Sequence, residues 1–365
     1  MNKSLPKWVD LGLIPFFTLL LAFAVSGLVV MSIGQNPIEV VKVMLQGAFN
    51  PFGIGHTLYF TTNFIFTGLA VAVAFHARLF NIGGEGQAGV AGVGVAVVML
   101  AFDWPHWTIA LLAGTLAAMA FGAAWAAIPA YLQAKRGSHI VITTIMFNLI
   151  ATALIGYLLV GPMQAEGSLP ESPSFPPGAA LPSMYEILGW FGIPFDKFAP
   201  ANISFFMALI AAVFVWVLIW KSRLGYEMRA FGHSERAAVY AGISPLKITM
   251  VAMLLSGALS GMMAINTVQG EAERLVLGAV EGAGFIGIAV ALMGRSHPVG
   301  VVLAAFLFGI LTQGGAELQF TLGIPAQMIT VIQALIIMFT GSLENMVRIP
   351  LEKLFLNTGK RGAAS

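Results

Sequence analysis

Apolar residues run along this chain in long blocks rather than alternating with polar ones. Ten blocks approach the ~20 residues a helix needs to cross a bilayer. They cover about 11–33, 57–75, 87–102, 107–129, 140–160, 202–220, 246–269, 280–294, 298–313 and 325–341. The short alternating strands of a membrane barrel are absent. The pattern therefore predicts an all-α polytopic membrane protein with about ten transmembrane helices, read as a single transmembrane domain over 1–365. The first block is too long for a signal-peptide core, and no small-residue cleavage site follows it. It reads as a retained span.

Composition strengthens this reading. The chain is 58% hydrophobic and 9% charged, with mean hydropathy +0.88. A soluble protein of 365 residues needs more charge to cover its surface. There is no Cys, which excludes disulfides and thiolate metal sites.

Charge adds orientation. With the N-terminus in the cytoplasm, the inner segments hold Lys3, Lys7, Arg78, Lys135, Arg136, Lys221, Arg223, Arg229, Arg236, Lys247, Arg295, Arg348, Lys353, Lys360 and Arg361. The outer segments hold Lys42, Lys197 and Arg274. The split is 15 against 3, which accounts for all 18 Lys and Arg. Positive residues gather on the cytoplasmic side of membrane proteins, so both termini are expected inside a plasma (inner) membrane.

Two connecting segments differ from the rest. The outer loop 161–201 is rich in Pro and Ser and mostly acidic, so it is expected to be extended. It is either a solvated linker or a docking surface for an external partner. The inner loop 221–247 is basic and carries helix punctuation. Ser234 suits an N-cap, Gly242 a C-terminal stop, and Pro245 lies beyond. Between them, SERAAVYA makes a two-turn helix, too short and too polar to span. Such a helix on the cytoplasmic face suits docking to another protein through Ser234, Glu235, Arg236, Ala237, Ala238, Tyr240 and Gly242. An ordinary loop helix is the plainer alternative.

Spans two to five start outside and spans seven to ten start inside, which makes them inverted repeats, a common transporter plan. The second span of each foursome opens on Glu-Gly, in GGEGQAG (83–89) and VEGAGFIG (280–287), and a Pro follows at the next span's entry (Pro105, Pro298). Matching Gly-interrupted segments point to a transport pathway. A carboxylate facing lipid is costly, so Glu85 and Glu281 are expected to face protein, a cavity or the interface. They either hold broken helix ends through backbone N–H groups or touch a solute. Asn81, Gln87 and Asn148 join them as candidate pathway residues. Asn148 follows Phe147, a pairing that suits a flat heterocycle with a polar edge. Interhelical hydrogen bonding accounts for the same amides, and for Asn63, Asn266, Gln269, Gln313 and Gln333. The small residues of 83–96 suit close helix packing.

Several chemistries are missing. No GxxxxGK[ST] loop is present, and NTGKR (357–361) lacks the pattern, so ATP hydrolysis is not expected of this chain. No HExxH or GxSxG occurs, and the six His are scattered at span ends. Basic residues are spread over many loops, which leaves no nucleic-acid patch.

Three stretches, FNIGGEGQ (80–87), RAFGHSERAAVYAGI (229–243) and GFIGIAVALMGRSHPVG (284–300), resemble the nucleoside-type permeases of bacterial ABC importers. These belong to the branched-chain amino acid and simple-sugar permease superfamily. The GGIDLS-like segment usual in the sugar permeases is absent. The long Pro-rich loop resembles the larger of two paired permeases. The resemblance implies a type II importer fold and a second, similar permease as partner. It also implies two ATP-binding domains docking at 234–241, with ATP held by them and no cofactor on this chain, and an external substrate-binding protein that delivers nucleosides. The competing expectation is an ion-coupled secondary transporter with Glu85 or Glu281 as its proton or cation site.

Overall fold

The computed structural model describes residues 13–32 and 34–342, together with Val9 and Ile349. Lys3, Lys7, Arg348, Lys353, Lys360, Arg361 and the NTGKR text lie outside the described residues. Among the described residues, fourteen α-helices follow one another: α1 (Ile14–Ser32), α2 (Pro37–Phe49), α3 (Pro51–His76), α4 (Gly84–Ala101), α5 (Trp107–Arg136), α6 (Ile140–Val160), α7 (Met184–Gly189), α8 (Ser204–Lys221), α9 (Arg223–His233), α10 (Glu235–Tyr240), α11 (Pro245–Gly261), α12 (Ala283–Met293), α13 (Pro298–Leu322) and α14 (Ala326–Ser342). A π-helical segment, Ile265–Glu271, continues α11. Among the described residues there is no β-strand, only the isolated bridges Glu171–Val276 and Ser183–Asn202.

Each of the ten expected spans falls on a helix, though not each on a full crossing. Among the described residues, seven helices are long and apolar enough to cross alone, or eight if α1 and α2, bent by 112°, form one span. The largest departure is at 280–294. That helix starts only at Ala283 and has 11 residues, about 16 Å at 1.5 Å per residue, or half a bilayer.

The described chain falls into two compact units. One comprises residues before Ala48 and from Gly314 on, where α14 packs along α1. The other, Ala48–Gln313, holds every candidate site. Its interior is α3, α4 and α11 with the π segment, which are mostly buried. By contrast α5, α6 and α8 expose apolar side chains such as Leu112, Leu116, Leu149, Tyr157 and Ile210, which suits contact with lipid.

Small residues explain how closely these helices approach. On α5, Ala110, Gly114, Ala118, Gly122, Ala126 and Ala130 recur every fourth position and are all buried. Ala118, Gly122 and Ala126 face Gly257 and Gly261 of α11, and a Cβ on Gly122 would overlap the Gly257 carbonyl. Without water to drive helices together in lipid, such backbone-to-backbone packing is the main source of association. The first three helices of the two foursomes make corresponding pairs. α11 packs on α5, and α3 meets the first part of α13 through Thr61 with Gly309 and Phe64 with Phe308.

Both unusual loops hold more helix than expected. Loop 161–201 contains α7, nucleated by a full capping box between Ser183 and Glu186. Its earlier part pairs with 273–276: the Ser172 N–H donates to the Leu275 carbonyl (2.9 Å), and Arg274 bridges Glu171 (2.9 Å). Loop 221–247 contains α9 as well as the expected short helix. Ser222 caps α9 by accepting from the Gly225 N–H (3.0 Å), and Met228 and Phe231 bury its apolar side.

Candidate functional site

The two Gly-interrupted segments meet. Residues 77–83 leave α3 without helical structure and deliver the chain to α4, while 272–282 do the same for α12. The starts of α4 and α12 abut, and a Cβ on Gly284 would overlap the Glu85 backbone nitrogen. Two helix N-termini, each with unpaired N–H groups and a positive dipole end, thus converge inside the unit.

Glu85 lies between them. It belongs to the first turn of α4, yet its carboxylate accepts from the Gly282 and Gly284 N–H groups of α12, both at 2.9 Å. One side chain thereby satisfies the other helix and faces the positive ends of both. This is the backbone-holding role that the sequence leaves open beside solute contact. Glu281 behaves differently. It is exposed, in a left-handed turn at φ 50°, and it caps no helix end among the described residues. The Glu-Gly text shared by the two segments therefore does not mark equivalent carboxylates.

Asn148 of α6 holds the other broken end. Its Oδ1 accepts from the Gly86 N–H and its Nδ2 donates to the Ile82 carbonyl, each at 2.9 Å. Trp125 steadies this stretch of α6 by donating to the Phe147 carbonyl (3.2 Å). Behind it, Asn81 Nδ2 donates to Gln87 Oε1 (2.9 Å) and Ser256 Oγ (2.8 Å). Asn81 Oδ1 accepts from the Gly83 N–H and from Gln87 Nε2. Ser256 donates onward to the Ala70 carbonyl, and Ser260 to the Gly84 carbonyl, both at 2.7 Å. Asn81 and Gln87 are each 1% exposed. In a bilayer interior every freed backbone group needs such a partner.

Beside Glu85 a cleft opens between α4, α6 and residues 275–280, lined by Gly86, Gly89, Thr152 and Thr267 among others. It holds about 80 Å³, room for roughly five to eight waters at 10–15 Å³ each. A cleft of this volume is too narrow for a solute of sugar or nucleoside size.

A second buried network breaks the path of α11. Asn266 uses all four of its hydrogen-bonding positions. Nδ2 donates to Asn63 Oδ1 (2.8 Å) and the Tyr59 carbonyl (3.0 Å), while Oδ1 accepts from Asn202 Nδ2 (2.9 Å) and Ser204 Oγ (2.8 Å). Asn63 and Asn266 are visible in the sequence as intramembrane amides. Asn202 and Ser204 are not, because they sit at the edge of a Pro-rich loop with no periodicity to mark them. Gln269 donates to the Ala179 carbonyl (3.2 Å).

The short basic-loop helix has the expected caps. Ser234 Oγ accepts from the Ala237 N–H (3.3 Å). Gly242 is left-handed (φ 81°), and the Ile243 N–H closes on the Ala238 carbonyl (2.9 Å). Glu235, Arg236 and Ala237 are exposed and Tyr240 is 94% exposed. Ala238 is the exception among the docking candidates: it is buried, because one side of even a two-turn helix must rest on the body. The neighbouring helix α9 is pinned at its end, where a Cβ on Gly232 would overlap the His76 carbonyl at the end of α3. Glu227 pairs with Arg223 on its own helix (3.0 Å) and links α9 to α11 through Lys247 (3.3 Å). These two cations hold its carboxyl below the usual carboxylate range. Among the described residues no three His, Asp or Glu side chains cluster to hold a metal.

Residues 53–341 match the family described as branched-chain amino acid transport system / permease component. The glucose ABC transporter permease protein TsgB13 of Haloferax volcanii is 35% identical over 93% of this chain and 89% of its own length. The guanosine ABC transporter permease protein NupP of Bacillus subtilis is 36% identical over 90% of this chain and 93% of its own. For the nucleoside ABC transporter permease protein NupB of Lactococcus lactis the figures are 31%, 90% and 90%. No solved structure matches. With apolar helices throughout, two broken segments meeting inside the helical unit and this match over most of its length, the chain belongs to the branched-chain amino acid transport system permease family and is a permease subunit of an ABC transporter.

Proposed function

We propose that this permease imports nucleosides or closely related neutral polar solutes, driven by ATPase subunits that grip α10 from the cytoplasm. The observation that carries the reading is α10 itself. It is capped at both ends, anchored through Ala238 and α9, and presents Tyr240 almost wholly to solvent. A rigid short helix with an exposed aromatic is a suitable handle, because force applied to it passes to α9 and so to the end of α3.

The substrate class has two supports. The relatives' names divide between nucleosides and glucose, all uncharged polar solutes. In addition, the two helix N-termini that could bind an anionic solute are already occupied, that of α12 by Glu85 and that of α4 by Asn148. The solute would pass along the cleft beside Glu85, Thr152 and Thr267. Asn81, Gln87 and Asn148 hold the breaks from behind, and Glu281 follows Val280 of the cleft's lining. A second, similar permease would complete the path, and an external binding protein would deliver the solute near loop 161–201. The 15-to-3 charge split supports both termini lying inside.

The test is uptake of labelled guanosine by the complete transporter. Tyr240→Ala and Arg236→Ala should cut uptake by at least about tenfold, with permease abundance and melting temperature unchanged. Uptake that survives loss of every ATPase and collapses with the proton gradient would select the ion-coupled rival. The two hydrogen bonds already made by Glu85 count against that rival, since they leave its carboxylate engaged.

A further inference from the structure

We propose that a cleft at the C-terminal ends of α3 and α12 binds the phosphate of an anionic phospholipid. The cleft measures about 530 Å³ and lies away from the break between α4 and α12. Arg78, Arg229 and Arg295 line it with His233, and no Asp or Glu is among its lining residues.

Three observations go beyond a chance gathering of charge. The first is backbone conformation. Arg78 (φ 61°) and Arg295 (φ 50°) are left-handed. Each follows the capping residue of its helix, Ala77 or Gly294, where the Leu79 N–H returns to the Ala74 carbonyl and the Ser296 N–H to the Ala291 carbonyl. Helix ends of this kind favour Gly, which has no Cβ to strain. The chain uses Gly at the left-handed ends of α5 (Gly137) and α10 (Gly242). At two ends far apart in sequence it accepts strained arginines instead, and both face one cleft. Strain kept in this way points to a function.

The second observation is an unmet donor. Arg229 Nε is buried and has no hydrogen-bond partner among the described residues. Neither Arg78 nor Arg229 has a carboxylate within ion-pair distance there, and the near carboxylate on α9, Glu227, is taken by Arg223 and Lys247. A phosphate supplies paired acceptor oxygens that a guanidinium fork can bind through two parallel hydrogen bonds.

The third observation is the lip, which is greasy. Phe75 and Leu292 line the cleft and are 42% and 49% exposed. Val299 and Leu303, at the start of the next helix, are more exposed still. Trp220 forms a wall, stacked edge-on against His76. Arginines at the ends of spans, a Trp at the same level and an apolar approach match the headgroup region of a bilayer. A free phosphate would have no use for that approach. Neutralising helix C-terminal dipoles would also suit arginine, but it does not require the left-handed position.

The test uses the full chain within the assembled transporter, in nanodiscs of phosphatidylcholine with graded phosphatidylglycerol, read by native mass spectrometry. The wild type should retain phosphatidylglycerol over phosphatidylcholine. Arg229→Gln should lower that retention about fivefold. Arg78→Gly should lower it similarly while raising the melting temperature in pure phosphatidylcholine, because Gly relaxes the turn. Unchanged retention in Arg78→Gly, a variant expected to fold at least as well as the wild type, would overturn the proposal. So would displacement of the lipid by millimolar inorganic phosphate, which would assign the cleft to a free anion.

Discussion

Residues 77–83 and 272–282 carry the chain to helix starts in the same irregular way, but the carboxylates near those starts, Glu85 and Glu281, have opposite roles. Glu85 leaves its own helix to accept two N–H groups of α12. Glu281 lies exposed in a left-handed turn. The start of α4, in turn, is held by an amide from α6, Asn148. Each broken end is therefore completed by a side chain from elsewhere in the unit. Closing the gap this way locks the junction, which must loosen if the pathway is to open. It also leaves the carboxylate with backbone donors rather than a cation, so no arginine or lysine has to be buried beside it.

The sharpest way to break this comparison is to remove each carboxylate in turn. Glu85→Ala orphans two N–H groups beside the cleft and should destabilise by about 3 kcal/mol, the low end of 1.5–3 kcal/mol per charged hydrogen bond because water in the cleft can reach them. Glu281→Ala should stay within about 0.5 kcal/mol, as surface changes do. Glu85→Gln should fall between them, since an amide offers one acceptor where two are needed. Thermal unfolding in detergent measures all three. Equal effects of Glu85→Ala and Glu281→Ala would restore the equivalence of the two segments and end the distinction between a carboxylate that holds a helix and one that does not.

The next test addresses the other broken end. Asn148→Ala frees the Gly86 N–H and the Ile82 carbonyl and should cost about 2 kcal/mol. It should also raise hydrogen exchange at Gly83–Gln87 while leaving 282–286 unchanged. Parallel exchange in both segments would mean that they open as one unit, and the division of labour between Glu85 and Asn148 would be lost.

Particular residues show what the sequence can and cannot convey. The spans are legible because apolar length is a local property, and α10 is legible because Ser234 and Gly242 punctuate it. Glu85's role as a holder of a helix end is open to inference from charge beside glycine. Its partner is not, since Gly282 and Gly284 lie almost two hundred residues away and a one-dimensional pattern does not encode that meeting. The shared Glu-Gly text suggests symmetry at a place where the two halves differ. α9 is hidden by Gly225 and Gly232, which lower helix propensity but are needed where the helix crosses α8 and the end of α3. Ala238 reads as part of a docking face because short-helix periodicity does not say which side rests on the body.

A third carboxylate sharpens the contrast at the smallest scale. Glu227 is held by cations, Arg223 and Lys247, rather than by backbone. Its folded pKa is depressed from the ordinary 4.5, so its contribution is present above that value and is lost as pH falls through the folded one. Exposed pairs of this kind contribute little, and Glu227→Gln should lower the melting temperature only slightly at pH 7. The gap between variant and wild type should close on acidification below pH 4.5 and narrow in high salt, because both acid and screening remove the same attraction. Glu85 should show no comparable response to salt, since its partners are dipoles packed against it. If added salt weakened the wild type relative to Glu85→Gln as strongly as it does relative to Glu227→Gln, Glu85 would have a distant cation as its true partner. The pairing of the two helix starts would then be a consequence of that charge and not its cause.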